Sequence, residues 1–238
     1  NEILGTSILK NLGFITPETF EVVTVINKVA ARMIFQEKAS KELLERNKRR
    51  EGPIFKGDES LIWSYKGFQN SELAPLSLSN LVNHGWLKKG DNSKRITLNS
   101  YALLQIAHLK NRYNKIDRLR YFHIFPNRMK SNLYTDLYNI LYSMNGVHAL
   151  SPNNRKHYFN TIESRFEPIY YDGDLSLARP VLYDNQDYFP SKEISPQLLE
   201  KITLLDNDNK LYKHFKKRVI DRVEARKYFT TALAQFKT

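Results

Sequence analysis

Residues 148–174 read HALSPNNRKHYFNTIESRFEPIYYDGD, and this stretch decides how the rest of the chain is interpreted. Aromatic and apolar residues are frequent on both sides of the short polar segment 163–165. Such a pattern predicts a β-hairpin with strands over 157–162 and 166–171. The hairpin is preceded by a polar loop and followed by a short acidic segment.

Polar groups that could bind a metal flank the predicted hairpin on both sides. Asn154 lies in the loop before the first strand, and Asp172 and Asp174 follow the second. Because a hairpin brings its two ends together, the amide and the carboxylates can converge on one divalent cation. Oxygen ligands of this kind suit Mg²⁺ or Mn²⁺. The alternative is that Asp-Gly-Asp is only a turn, since both residue types favour turns.

The composition predicts a folded protein with a substantial core. Of 238 residues, 41% are hydrophobic, and 14 Tyr and 13 Phe exclude a disordered chain. The length allows one large domain or two lobes. The absence of cysteine excludes disulfides, thiolate zinc sites and a cysteine nucleophile, and it leaves the compartment open. No apolar run reaches about 18 residues and no signal peptide is recognisable, which predicts a soluble chain. Because the sequence begins at Asn1, we expect a processed, trimmed or partial chain.

The net charge of +12 favours anionic partners, which include nucleotides, nucleic acid, acidic proteins and anionic lipid. The basic residues cluster at 48–50 and 213–227. The second cluster lies on a predicted helix, and no nucleic-acid-binding motif accompanies it. We therefore interpret it as a solvated helix face in preference to a nucleic-acid groove.

The order of predicted elements places the chain in the α+β class. Predicted helices cover 2–12, 41–46, 118–125, 132–144 and 211–236, with Ser40 as the cap of the second and Gly146 as the stop after 132–144. Another predicted helix is capped by Asn99 or Ser100 and runs to 115, and one more is opened by Ser195-Pro196. Predicted strands cover 20–26 and 31–37, joined by a turn at Asn27-Lys28, and residues 50–56 are extended. Strands and helices that are segregated along the chain favour α+β over a doubly wound parallel sheet.

This order also predicts a division of the chain into three parts. Residues 1–56 form a small mixed segment, and residues 57–98 form an irregular linker or insertion punctuated by glycines. Residues 99–238 form a mostly helical segment that carries the hairpin and the candidate metal site.

Four stretches, taken in order, resemble the spore coat protein H (CotH) kinase-like family. They are a helix ending in Leu-Gly before Pro17, a strand pair over 25–37 ending in glutamate, residues 41–56 with Gly-Pro-Ile-Phe-Lys, and residues 154–174 with Phe-Glu-Pro-Ile and the Asp-x-Asp segment. Together they cover nearly half of the chain. The resemblance implies a protein-kinase-like fold, with a partial N-terminal lobe of helix and antiparallel strands leading through a hinge to a mostly helical C-terminal lobe.

The resemblance also implies an activity and a metal site. The family's activity is that of an atypical protein kinase, which transfers the γ-phosphate of ATP to Ser or Thr of a protein substrate with Mg²⁺ or Mn²⁺. By position, Asp172 resembles the metal aspartate that follows the hairpin, with Asp174 beside it. Asn154 resembles the amide of the catalytic loop, and it completes the expected set of metal ligands.

Further residues take roles from the same comparison. Glu37 would end the strand leading to the hinge, where the adenine edge of ATP binds through the backbone. Glu2 would be the helix carboxylate that pairs with a strand lysine. His148 could orient or deprotonate the acceptor hydroxyl, and Arg155 or Lys156 could neutralise charge on the transferred phosphoryl group.

The sequence departs from the family in ways that keep two other functions open. The loop 148–154 contains no Asp, which motivates a catalytically impaired kinase-like scaffold that binds a partner protein. The net charge and the basic last helix motivate a nucleic-acid-binding protein. The phosphate-covering strands and the ATP lysine of the family would precede Asn1. Lys56 comes after Glu37, too late in kinase order for that lysine, and we interpret it as a structural or surface residue.

Overall fold

The computed structural model describes residues 1–57, 79–113, 133–151, 154–177, 194–205 and 210–235, without the side chains of 108–113 and 225–235. Within these ranges it has seven α-helices and two antiparallel sheets, which confirms the predicted α+β class. The helices are α1 Glu2–Asn11, α2 Lys41–Arg46, α3 His84–Leu87, α4 Asp91–Tyr113, α5 Leu133–Ser143, α6 Pro196–Leu204 and α7 Lys210–Gln235. The strands are β1 Thr19–Ile26, β2 Val29–Gln36, β3 Ile54–Gly57, β4 Ser79–Leu81, β5 Lys156–Asn160 and β6 Arg165–Ile169.

The four-stranded sheet, in the order β4-β3-β5-β6, lies between two apolar clusters. Alternate strand residues point to opposite faces, so Phe55 and Phe166 enter the larger cluster, which also contains residues of α1, α5, α6 and α7. Ile54 and Tyr158 enter the smaller cluster with Leu44 of α2. The sheet is therefore covered on both faces, and both faces contribute to the core.

The predicted hairpin over 157–171 is confirmed as β5 and β6. Its register pairs Lys156 with Ile169 and Asn160 with Arg165, so the turn covers 161–164. An isolated parallel bridge from Ile15 to Ile169 places the chain after α1 beside the end of β6. The hairpin thus delivers the acidic segment at 172–174 to the neighbourhood of α1.

The predicted strand pair over 20–37 is confirmed as the second sheet, β1 and β2. Asn27 and Lys28 both have positive φ, 51° and 66°, as a two-residue turn of the I′ type requires. One face of this hairpin is apolar yet exposed; its large side chains are Phe20, Ile26, Val29, Met33 and Phe35.

Two of the predicted helix boundaries are confirmed in detail. Ser195 precedes α6, its side-chain oxygen accepts a hydrogen bond from the Leu198 N–H, and Pro196 is the first helical residue. The α5 helix ends at Ser143, and Asn145, one residue before the predicted stop Gly146, takes the left-handed conformation with φ of 54°. The Gly146 N–H then bonds to the Leu141 carbonyl at 2.7 Å, which gives the Schellman arrangement.

The predictions for 57–98 and for the start of α4 are wrong in the described range. Residues 79–81 form β4, α3 follows, and α4 begins at Asp91 instead of Asn99 or Ser100. Ser100 is interior to α4, and its hydroxyl donates to the Ile96 carbonyl at 2.8 Å instead of capping a helix. The three residues of β4 are too few to show a period, and pairing with β3 makes them a strand. Residues 58–78 and the helix predicted over 118–125 lie outside the described residues.

The long final helix is confirmed as α7, and its basic character does not make it a uniformly solvated face. Tyr212, Phe215 and Val219 are buried in the larger cluster. Arg218 is buried as well, its guanidinium donates to the Ser143 carbonyl at 3.3 Å, and burial lowers its pKa. None of the helices among the described residues combines the length and the hydropathy that a membrane span requires.

Candidate functional site

The loop after β6 presents two carboxylates to solvent. Asp172 and Asp174 are exposed, and both have left-handed backbones, with φ of 48° and 49°. Such conformations cost roughly 1–3 kcal/mol and concentrate at functional sites. Gly173 between them is buried and closely packed. A Cβ there would lie 2.5 Å from the Tyr170 hydroxyl and 3.0 Å from a methyl carbon of Leu175. The loop is therefore packed tightly on its inner side while its carboxylates face outward.

Glu2, the second residue of the described chain, anchors this loop. Its carboxylate accepts a hydrogen bond from the Tyr170 hydroxyl and another, at 3.4 Å, from the Leu175 N–H. The side-chain oxygen of Asn1 accepts from the Leu177 N–H at 3.3 Å. Burial, together with the neighbouring Glu2 carboxylate, raises the pKa of Tyr170 well above its usual range. The start of α1 thus binds both ends of the segment that carries Asp172 and Asp174.

His148 joins the loop before the hairpin to the loop after it. It lies in a 3₁₀-helix, Val147–Leu150, and its Nε2 is 3.6 Å from a carboxylate oxygen of Asp172. The buried Asn154 donates from its side-chain amide to the His148 carbonyl at 3.3 Å. Three predicted site residues, His148, Asn154 and Asp172, are therefore brought together by the fold.

The donor types around Asp172 fit a hard divalent cation. Two exposed carboxylates, Asp172 and Asp174, and the amide oxygen of Asn154 are the ligands that Mg²⁺ or Mn²⁺ takes. Within the described ranges, no three His, Cys, Asp or Glu side chains are clustered closely enough to hold a metal by themselves. The metal set of Asp172, Asp174 and Asn154 stays a prediction.

Arg155 is placed in the core beneath the site. It is 5% exposed, and its guanidinium donates to the Tyr138 hydroxyl at 3.3 Å. Two residues further on, His157 shares a hydrogen bond of 2.8 Å between its Nδ1 and the Tyr134 hydroxyl. Burial, with a smaller effect of the Arg155 charge, lowers the pKa of His157 to about 3. These contacts connect β5 to α5 and support the strand that follows Asn154.

Glu37 directly follows β2, and its backbone N–H and carboxylate bind Glu18, which precedes β1, and Arg46 of α2. Its N–H donates to the Glu18 carbonyl at 2.9 Å, and its carboxylate accepts from the Glu18 N–H at 3.1 Å. The same carboxylate accepts from Arg46 of α2 at 2.7 Å. Since the N–H of Glu37 is already bonded, its carbonyl is the backbone group that could still bind an adenine edge. Among the described contacts, none joins Glu37 to Asp172.

Lys156, the sequence alternative to Arg155, lies beside the acidic loop. Its Nζ is 3.3 Å from the ring centroid of Tyr171, which immediately precedes Asp172. Burial and the Asp172 charge raise the pKa of Tyr171. Adjacent residues of an extended chain point to opposite faces of a sheet, so Arg155 and Lys156 differ in burial. This alternation is the sequence signal that distinguishes the two residues.

The sequence interpretation missed the anchoring role of Tyr170. Its partner Glu2 is 168 residues away in the chain, and no local pattern encodes a contact at that separation.

The chain matches no protein-family model, and a search of curated proteins finds no match either.

Proposed function

We propose that this chain is an atypical protein kinase of the CotH-like type. It transfers the γ-phosphate of ATP to Ser or Thr of a protein substrate and requires Mg²⁺ or Mn²⁺. The observation that carries the proposal is that His148 contacts the loop amide Asn154 through its backbone carbonyl and the post-hairpin carboxylate Asp172 through its imidazole.

Further features support a kinase-like arrangement. The loop that carries the expected metal aspartate follows an antiparallel hairpin and is anchored by a carboxylate of a helix, Glu2 of α1. Glu37, at the expected entrance of the hinge, directly follows the strand pair β1–β2. The order helix, strand pair and hairpin is the one that the resemblance implies.

The site's residues suit phosphoryl transfer, which depends mainly on positioning and charge neutralisation. A divalent cation bound at Asp172, Asp174 and Asn154 would neutralise phosphate oxygens. His148 is about half exposed and lies 3.6 Å from Asp172. Its imidazole could accept the proton of the acceptor hydroxyl or orient that hydroxyl, the role that the missing loop aspartate has elsewhere in the family.

Replacing Asp172 tests this proposal directly. We expect Asp172→Ala to lower Mg²⁺- or Mn²⁺-dependent transfer of labelled phosphate from ATP by about a hundredfold or more, since charge neutralisation at the transferred group is lost. The matched control is Asp221→Ala, at an exposed position of α7. Transfer at the wild-type rate by Asp172→Ala would contradict the proposal.

The alternative function is a kinase-like scaffold that binds a partner without turnover. The observation that favours it is the loop around His148, which supplies a histidine paired with Asp172 but no aspartate. Thermal unfolding with ATP and Mg²⁺ or Mn²⁺ separates the two, because a ligand that binds the folded state raises its stability. Stabilisation by nucleotide without phosphate transfer would favour the scaffold.

A further inference from the structure

A row of hydrogen-bond donors crosses three neighbouring strands of the four-stranded sheet. The β3–β5 register pairs Lys56 with Lys156, and the β3–β4 register pairs Lys56 with Asn80. Directly paired residues point to the same face of a sheet, and adjacent strands lie about 4.8 Å apart. Asn80, Lys56 and Lys156 therefore form one row, which we call the donor row.

The donor row leads to the candidate metal site. Lys156 comes two residues after Asn154, and its Nζ lies over the ring of Tyr171, next to Asp172. On the same face, Ile54 pairs with Tyr158 one step inward, and both are buried in the smaller cluster. The donor row thus lies at the outer end of this face, where the sheet meets the loop of Asp172.

The register of β3 and β5 places two lysines directly opposite each other on one face of the sheet. Like charges directly opposite on neighbouring strands are destabilising. Lys56 is exposed, and no carboxylate of the described residues lies within 4 Å of its ammonium group. An anion bound along the row would accept charge-assisted hydrogen bonds from lysine ammonium groups.

We propose that the donor row binds the polyphosphate group of a nucleotide. Lys56 and Lys156 donate to the phosphate oxygens, and the amide of Asn80 extends the row. A cation held by Asp172 would lie near the Lys156 end. That the polyphosphate belongs to ATP rests on the proposed function. The affinity of the row for a polyphosphate anion does not depend on phosphate transfer.

Calorimetric titration of the full chain with inorganic tripolyphosphate, at low ionic strength and without divalent metal, tests the row. We expect Lys56→Gln and Lys156→Gln each to weaken binding by about tenfold, because each removes a charged donor. Lys88→Gln, an exposed lysine after α3, is the matched control and should bind within about twofold of the wild type. Thermal unfolding without ligand checks that each variant is folded.

Failure of the row and failure of the kinase proposal give different results. The row is overturned if the wild type binds no tripolyphosphate, or if both variants bind as the wild type does, even where phosphate transfer is present. Lysine-dependent tripolyphosphate binding without any transfer supports the row and overturns the kinase. A competition with ATP separates the sources of the anion: displacement of tripolyphosphate supports a nucleotide, and no displacement overturns that assignment.

Discussion

Gly173 shows at the scale of a single residue how the acidic loop is held. Its backbone lies against the buried ring of Tyr170, and Tyr170 in turn donates to Glu2. The flanking Asp172 and Asp174 carry the left-handed conformations instead of the glycine. The close approach of Tyr170 therefore favours glycine at position 173, whereas the residues at positions 172 and 174 have strained backbone conformations.

We predict that Gly173→Ala destabilises the protein by about 1–3 kcal/mol, as overpacking of a close contact does. The added Cβ would meet the Tyr170 ring at 2.9 Å and its hydroxyl at 2.5 Å, and Tyr170 is fully buried and has no room to move. Urea unfolding measures the change.

Gly85→Ala is the control for this variant, since no atom lies within 4 Å of the new Cβ. It lies in α3, where alanine is the better helix former, so no loss of stability is expected. Equal stability of Gly173→Ala and the wild type would show that the loop does not pack on Tyr170 in solution.

The β1–β2 hairpin is the element whose turn fits its sequence least well. A two-residue turn of this type favours Asn-Gly, and the chain has Asn27-Lys28. Lys28 is held at φ of 66°, a conformation that costs a non-glycine residue about 1 kcal/mol or more.

We predict that Lys28→Gly raises the free energy of unfolding by up to about 1 kcal/mol, because glycine adopts this conformation without strain. Denaturant unfolding of the two proteins gives the difference. The same substitution at Lys38, just after β2 and without positive φ, is the control and should lower stability through chain entropy. A loss of stability in both variants would contradict a left-handed Lys28.

His157 links one buried group to the stability of the whole molecule. It lies between β5 and α5, bonded to the Tyr134 hydroxyl, and burial lowers its pKa to about 3. In the unfolded chain its pKa is near 6.5. Between these two values the unfolded chain binds a proton that the folded protein does not bind, so stability falls as the pH decreases.

We predict that His157 alone removes up to about 1.4 kcal/mol of stability per pH unit as the pH falls from about 6.5 toward 3. Urea unfolding at pH 7 and pH 5 measures this loss. His157→Gln should show a smaller loss, and His214→Gln, at an exposed position of α7, should lose as much as the wild type. Equal losses in all three proteins would contradict a neutral, buried His157.

Sequence by itself determined the elements whose signals are local. Ser195-Pro196 opens a helix because the cap and the fixed φ act within one turn, and Asn27-Lys28 makes a turn by the same short-range forces. Aromatic and apolar residues on both sides of 163–165 specify the hairpin, and chain order alone places Asn154 before it and Asp172 after it. Those parts of the fold and of the candidate site were therefore predictable.

Tertiary structure alone decided the contacts between distant residues. The strand β4, the core position of Arg155 and the bond between Glu2 and Tyr170 all depend on partners outside their own segments. Lys56 illustrates the difference. Its place in the chain predicts a surface residue, and strand register sets it opposite Lys156, 100 residues further on, because pairing is fixed by packing of both sheet faces and not by local sequence.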